Sequence, residues 1–184
     1  MLSARHHVFE TEFGFCGAAW TAEGLARFVL PTPEPAQAAE QLKQRLPAAA
    51  EAEPDGPMAE LVLAAQRYFT GCREDFSKIP LDLTGIDPFR RSLYAAMRKL
   101  GYGETTTYGA LCASVGFPSA ARETGAAMGR NPMPLVIPCH RVLAAGGKLG
   151  GFSAPGGVAT KQKMLALENA RSPGAEPAQA SFAF

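Results

Sequence analysis

Apolar and polar positions alternate loosely over residues 8–31, VFETEFGFCGAAWTAEGLARFVLP, around an Ala-Glu-Gly turn. That spacing predicts a pair of β-strands. The pattern lengthens to a helical one in EPAQAAEQLKQRL (34–46) and again in MAELVLAAQRYFTG (58–71), where Leu61, Ala64, Ala65 and Tyr68 share one face. Between the two, PAAAEAEPDGP shows no periodicity and reads as a flexible loop. SKIPLDLTGIDPF (77–89) is extended or turning and links two domains, at 1–80 and 81–170.

The second half opens on a strong helix start, with Asp87 as N-cap and Pro88 at the first helical position of FRRSLYAAMRKL. Gly101 and Gly103 are expected to end that helix. TYGALCASV and PSAARETGAAMG, separated by a turn at Gly116 and Phe117, predict two short helices in a helix-turn-helix. A glycine-rich GGFSAPGG precedes the closing helix VATKQKMLALENA, and the tail at 171–184 is expected to be disordered. The fold class is therefore α/β: a small N-terminal α/β domain followed by a mostly helical one.

A chain of 184 residues can bury a core without help from disulfides or metals. Its longest apolar runs fall short of the roughly 18 residues of a membrane span. The start, MLSARHHVFETEF, lacks the apolar segment of a secretory signal, so a cytoplasmic protein with four free thiols is expected. The net charge of +1 conceals an asymmetry: residues 1–87 hold seven Lys and Arg against thirteen Asp and Glu, and residues 88–168 hold ten against three. A basic half suits a polyanionic partner such as nucleic acid, and it equally suits a solubilising surface.

The candidate chemistry lies in NPMPLVIPCHRVLAAGG (131–147), where Cys139 and His140 are adjacent. A zinc site is disfavoured, because His6 and His7 are the only other histidines and lie at the far end of the chain. A nucleophilic thiol with a histidine base is awkward in an extended segment, since consecutive side chains point to opposite faces. A bridging water would relieve that geometry. A buried structural cysteine beside a surface histidine is the third possibility. The context favours a pocket: Pro132, Pro134 and Pro138 stiffen the approach, and the glycines at 146, 147, 150, 151, 156 and 157 let backbone approach a ligand closely.

NPMPLVIPCHRV closely resembles the active-site motif of the O6-alkylguanine-DNA alkyltransferases, the methylated-DNA-protein-cysteine methyltransferase family. The likeness continues upstream through GETTTYGAL and AARETGAAMGRNP and downstream through GKLGGFS to KMLALE, covering roughly residues 88–169. It implies a ribonuclease H-like N-terminal domain and a single-turnover DNA-repair reaction, with no cofactor, in which Cys139 accepts an alkyl group from O6 of guanine or O4 of thymine. His140 would be the base acting through water, Glu168 its orienting carboxylate, Asn131 the support of the turn, and Tyr108 the hydroxyl that relieves charge on the leaving base. The partner implied is double-stranded DNA, met in the minor groove by a monomer with the damaged base flipped out.

A recognition helix over Ser119–Met128 would approach the groove through Ala120, Ala121 and Gly125 with Met128 behind, while Arg122 fills the emptied stack. Val142, Phe152, Ser153 and Lys161 would complete the base- and DNA-contacting set. Two departures from the family pattern are Glu123, an acid where a small neutral residue is common, and Phe152, which replaces a tyrosine. Some relatives hold zinc, and His6, His7, Cys16 and Cys72 are the residues that could do so here; their spacing is not a finger pattern, and no metal is expected. The alternative function is a non-catalytic binder of alkylated DNA, disfavoured by the presence of Cys139.

Overall fold

A computed structural model describes residues 4–171. Of the expected tail at 171–184, Arg171 is described and its N donates to Gly103 O at 3.0 Å, and residues 172–184 lie outside the described residues. The N-terminal strand region is a three-stranded meander instead of a pair: β1 (Arg5–Thr11), β2 (Gly14–Thr21) and β3 (Gly24–Thr32). The additional turn is only Glu12 and Phe13, too short and too apolar to stand out in the pattern. Sheet order is β3-β2-β1-β4, antiparallel through the meander. β4 (Ala50–Glu51) lies within the stretch read as a loop and pairs parallel to β1. Two residues held only through backbone bonds leave no side-chain signature.

Along β2, Cys16, Ala18 and Trp20 face one side of the sheet and Phe15 and Ala19 the other. Helix α1 (Pro35–Arg45) covers the second side with Ala38 and Leu42. Helix α2 (Gly56–Phe69) covers the first, burying Leu61, Ala64, Ala65 and Tyr68 as its periodicity requires. That layer is continuous with the core of the second half, through Leu93, Tyr94, Met97, Met133 and Met164.

The segment from Phe76 to Ile86, expected to link two domains, is tied down by two arginines. Arg98 donates to the carbonyls of Phe76, Ser77 and Ile79, and Arg91 donates to those of Leu83 and Ile86. Part of the basic excess of the second half is therefore internal bonding. Helix α3 (Pro88–Met97) starts as expected, with the Asp87 carboxylate accepting from Arg90 N, but it closes at Met97, ahead of Gly101. β5 (Thr106–Thr107) leads into α4 (Tyr108–Ser114), and a turn at Gly116, φ +90°, leads toward α5 (Ala121–Gly129). Ser119 and Ala120, expected on that helix, precede it. β6 (Val142–Leu143) pairs parallel to β5, and α6 (Gly157–Leu167) closes the described fold. Among the described residues no helix is long and apolar enough to cross a membrane.

Candidate active site

The segment before Cys139 is a knot of short hydrogen bonds. Asn131 Nδ2 donates to Ile137 O at 2.8 Å, Asn131 Oδ1 accepts from Met133 N at 3.0 Å, and Ile137 N donates to Met133 O at 2.8 Å. Leu135, at the tip, has φ +77°, a left-handed conformation that costs a leucine about 1–2 kcal/mol. Burial of Met133, Leu135, Val136 and Ile137 offsets that strain and fixes the loop. Cys139 and His140 then lie on a 3-10 turn, Cys139–Arg141, and not on an extended strand. Successive side chains on such a turn fan around an axis, so the thiol and the imidazole still point apart.

His140 points toward the end of α6, where Nε2 lies 2.8 Å from Glu168 Oε1. Glu168 is the centre of a buried array of five donors. Oε1 accepts from Tyr68 OH (2.7 Å), His140 Nε2 and Arg141 Nη2 (2.9 Å), and Oε2 accepts from Arg141 Nε (2.9 Å) and Gly103 N (3.0 Å). Burial alone would raise this carboxyl, but the bonds and charges of His140 and Arg141 hold it well below the usual carboxylate range. Gly103 must be glycine here: its φ is +77°, and a Cβ would sit 2.9 Å from Glu168 O.

An ionised Glu168 can only accept, so the proton of His140 resides on Nε2 and the lone pair on Nδ1. Burial lowers the imidazole pKa despite the carboxylate, and Arg141 already balances the Glu168 charge. His140 is thus a neutral base, and its Nδ1 is buried without a protein partner. The Cys139 thiol is pushed up by burial, against the opposing influence of Asn131, Lys161 and nearby backbone amides. A thiol held protonated in this way becomes a nucleophile only when a base takes its proton.

Cys139 opens on a cleft of about 520 Å³, lined also by Tyr108, Ala121, Arg122, Gly125, Met128, Phe152 and Ser153. The β5–β6 ladder brings Tyr108 to this wall by pairing Thr107 with Leu143, and Thr107 caps α4 by accepting from Ala110 N. Helix α5 buries Thr124, Ala127 and Met128 and exposes Ala121, Arg122 and Glu123. Tyr94 OH anchors it through Ala127 O at 3.1 Å. Glu123 lies in the first turn of α5, where its charge favours the helix dipole. Ser153 Oγ donates to Gly129 O at 3.2 Å.

Lys161, read above as a DNA- or base-contacting residue, is fully enclosed instead, because α6 packs it beneath the cleft. Its Nζ donates to Val142 O at 2.6 Å and lies 6.0 Å from the ring centroids of both Tyr108 and Phe152. The Val142 carbonyl accepts from Lys161 Nζ, and the Cys139 carbonyl accepts from Val142 N. Three members of the array were absent from the sequence reading as site residues. Arg141 stands in the quoted motif and could have been found there. Tyr68 and Gly103 give no such signal, since one reads as helix core and the other as a helix stop.

The suggested zinc donors do not converge. His6 Nδ1 lies 3.1 Å from Ala49 O, Cys16 is in the core, and Cys72 is exposed beyond α2. Among the described residues no three His, Cys, Asp or Glu side chains could jointly hold a metal ion.

The family model described as 6-O-methylguanine DNA methyltransferase, DNA binding domain, matches residues 88–170. A methylated-DNA-protein-cysteine methyltransferase of Mycolicibacterium paratuberculosis is 46% identical over 106 residues, 58% of this chain. The chain spans 62% of that relative's length. A Thermus thermophilus protein named DNA base-flipping protein is 43% identical over 123 residues, 64% of this chain and 81% of that one. The crystal structure of Mycobacterium tuberculosis O6-methylguanine methyltransferase superposes with a TM-score of 0.70 at 30% identity, over 94% of this chain and 96% of that one. The M. tuberculosis OGT structure in complex with DNA gives 0.72 at 29% identity, over 92% and 96%. The mixed α/β architecture is therefore shared over nearly the whole length, and the chain belongs to the O6-methylguanine-DNA methyltransferase family.

Proposed function

We propose that this protein repairs DNA by moving an alkyl group, most simply methyl, from O6 of guanine, or O4 of thymine, to Cys139 Sγ. The observation that carries this reading is the Cys139 thiol facing a cleft walled by Tyr108, Met128 and Phe152, with the next residue, His140, buried behind it as a neutral base held by the ionised Glu168. His140 Nδ1 needs a buried partner, and a water joining it to Sγ would satisfy both groups. Through it the thiol proton passes to His140, and Sγ attacks the alkyl carbon. The S–C bond forms as the C–O6 bond breaks, the bonding electrons stay on the base, and one proton returns to it, so guanine leaves neutral.

Tyr108 supplies charge relief at the base. Burial raises its phenol, and the Cys139 charge adds to that effect. Alkylation removes the thiolate, and the hydroxyl then becomes a better donor at the moment the leaving base needs a proton. The thioether product is not reduced by thiols as a disulfide would be, so each molecule reacts once.

The substrate base must leave the duplex at a cost of roughly a few kcal/mol. The pairing of α4 with α5 across Gly116 supports a helix-turn-helix whose second helix enters the minor groove. Its exposed Ala121 and Arg122 and half-buried Gly125 suit close approach, with Arg122 filling the stack. Groove readout there is degenerate, which suits damage in any sequence. Asn131 holds the thiol's loop, Ser153 and Phe152 border the base, and Lys161 places a positive charge beneath the thiol. The β3-β2-β1-β4 order with a parallel β4 supports a ribonuclease H-like N-terminal domain over 1–80, with catalysis and DNA binding in 81–170. Free thiols and the reaction itself suit a cytoplasmic monomer.

The test is intact mass after incubation with duplex carrying one O6-methylguanine. One added methyl, mapped to Cys139 and absent in Cys139→Ser, is the expected result. Tight binding with no mass change would instead make this a non-catalytic lesion binder.

A further inference from the structure

The N-terminal 87 residues hold only seven Lys and Arg, yet two of them meet the basic half at one place. Arg27 of β3 and Arg45 of the last turn of α1 line a cleft of about 600 Å³ together with Arg90 and Arg130. Edge strand β3 makes this cleft. Leu25 is bonded to the linker at Pro80 and Asp82, Phe28 N donates to Pro132 O at 2.9 Å, and Ala26 and Arg27 lie between those attachments.

Four guanidiniums on one cleft repel each other, and the fold does little to compensate. Arg90 is paired with Asp87. Asp82, the one acid lining the cleft, is engaged by Thr21 Oγ1 at 2.7 Å and Thr84 N at 2.9 Å. Among the described residues Arg27, Arg45 and Arg130 form no ion pair. Arg27 Nε is buried without a hydrogen-bond partner. Burial, followed by the neighbouring Arg45 charge, lowers the Arg27 pKa, so the site works against its own cation.

We propose that this cleft is a phosphate-binding site built from Arg27, Arg45 and Arg130. A phosphate group supplies the negative charge and the several acceptor oxygens that these guanidiniums lack, and the guanidinium fork matches its geometry. Arg27, Arg45, Gly129 and Asn131 also line an adjoining cleft of about 170 Å³ that reaches Cys139, Phe152 and Ser153. A phosphate held by the arginines is therefore continuous with the reacting thiol. The group comes from either of two sources: the backbone of the strand being repaired, which rests on the DNA reading above, or a free nucleotide or inorganic phosphate.

The test compares the full chain with the Arg27→Gln/Arg45→Gln variant. Anisotropy of an undamaged duplex is measured across a salt series, and thermal unfolding with and without inorganic phosphate or deoxyguanosine monophosphate. If the strand backbone occupies the site, the slope of log affinity against log salt falls by about 1 in the variant, at roughly 0.9 per phosphate contact. Duplex repair then slows, while reaction with free O6-methylguanine is unchanged. If the free anion occupies it, phosphate or the nucleotide raises the wild-type melting temperature and not the variant's, with the salt slope unaltered. An unaltered slope together with no anion-dependent rise in the wild type overturns the site. Arg45→Gln alone, at an exposed helix end, gives the same readings should the double variant unfold. Wild-type failure to react with the free base would count against alkyl transfer, and the anion arm would still be readable.

Discussion

Tyr68→Phe removes one oxygen and keeps the ring that packs edge-on against Phe69, Phe76 and Tyr102. That oxygen donates to Glu168 Oε1 at 2.7 Å across 100 residues of chain, and both side chains are buried. A hydrogen bond to a charged group contributes about 1.5–3 kcal/mol. The unfolding free energy at pH 7 should fall by that amount, and the melting temperature by about 3–12 °C at 2–4 °C per kcal/mol. The pH dependence has a definite sign. Glu168 is depressed in the folded state, so its stabilisation is complete above the unfolded carboxyl value of about 4.3 and is lost as pH falls through the folded value. The gap between wild type and variant should therefore persist through the ordinary carboxyl range and close only in stronger acid. The variant's acid-unfolding midpoint should lie at higher pH. Loss of a competing donor also strengthens the pull of Glu168 on His140 Nε2–H, which raises the basicity of Nδ1 and moves the pH profile of alkyl transfer upward. Urea unfolding over a pH series and single-turnover transfer rates measure both effects. A variant within about 0.5 kcal/mol of wild type, with an unmoved rate profile, would refute the dependence of the site on α2.

Arg122→Ala should slow repair of duplex far more than reaction with the free damaged base, which needs no extrusion; equal losses in the two rates would remove Arg122 from the stack-filling role. Lys161→Met takes away a charge that lowers the Cys139 thiol pKa, so the rise of thiol alkylation rate with pH should move to higher pH. An unchanged profile would mean that Lys161 only packs. Gly150→Ala places a Cβ 3.3 Å from the Tyr108 hydroxyl at a backbone φ of +69°. It should cost about 1–2 kcal/mol in urea unfolding and slow transfer to duplex and free base alike; wild-type rates would show that Tyr108 can move aside without consequence.

Local signals were legible where a few adjacent residues determine the structure. Asp87 and Pro88 set the start of α3 because capping is a three-residue event, and Cys139, His140 and Arg141 announce the site because they are contiguous. The turn at Glu12–Phe13 was hidden by an apolar residue in a two-residue hairpin, and β4 by pairing that uses backbone alone. Tyr68 is legible as part of the buried face of α2, yet its hydroxyl meets Glu168 only because the fold brings the end of α6 to it across 100 residues of chain. Lys161 looked like a surface cation since nothing local distinguishes a lysine folded under a cleft from one reaching for phosphate. The basic excess of residues 88–168 also overstates the outward charge, because Arg141 and Lys161 are buried and Arg98 is half-buried on backbone carbonyls.

The stoichiometric role of Cys139 is tested most directly by counting guanines restored per protein molecule with O6-methylguanine duplex in large excess and the reaction run to completion. One restored guanine per protein, with Cys139 fully methylated at the plateau, is expected from a buried thiol that becomes a thioether. A count that keeps rising with time, or a plateau reached with Cys139 unmodified, would contradict it.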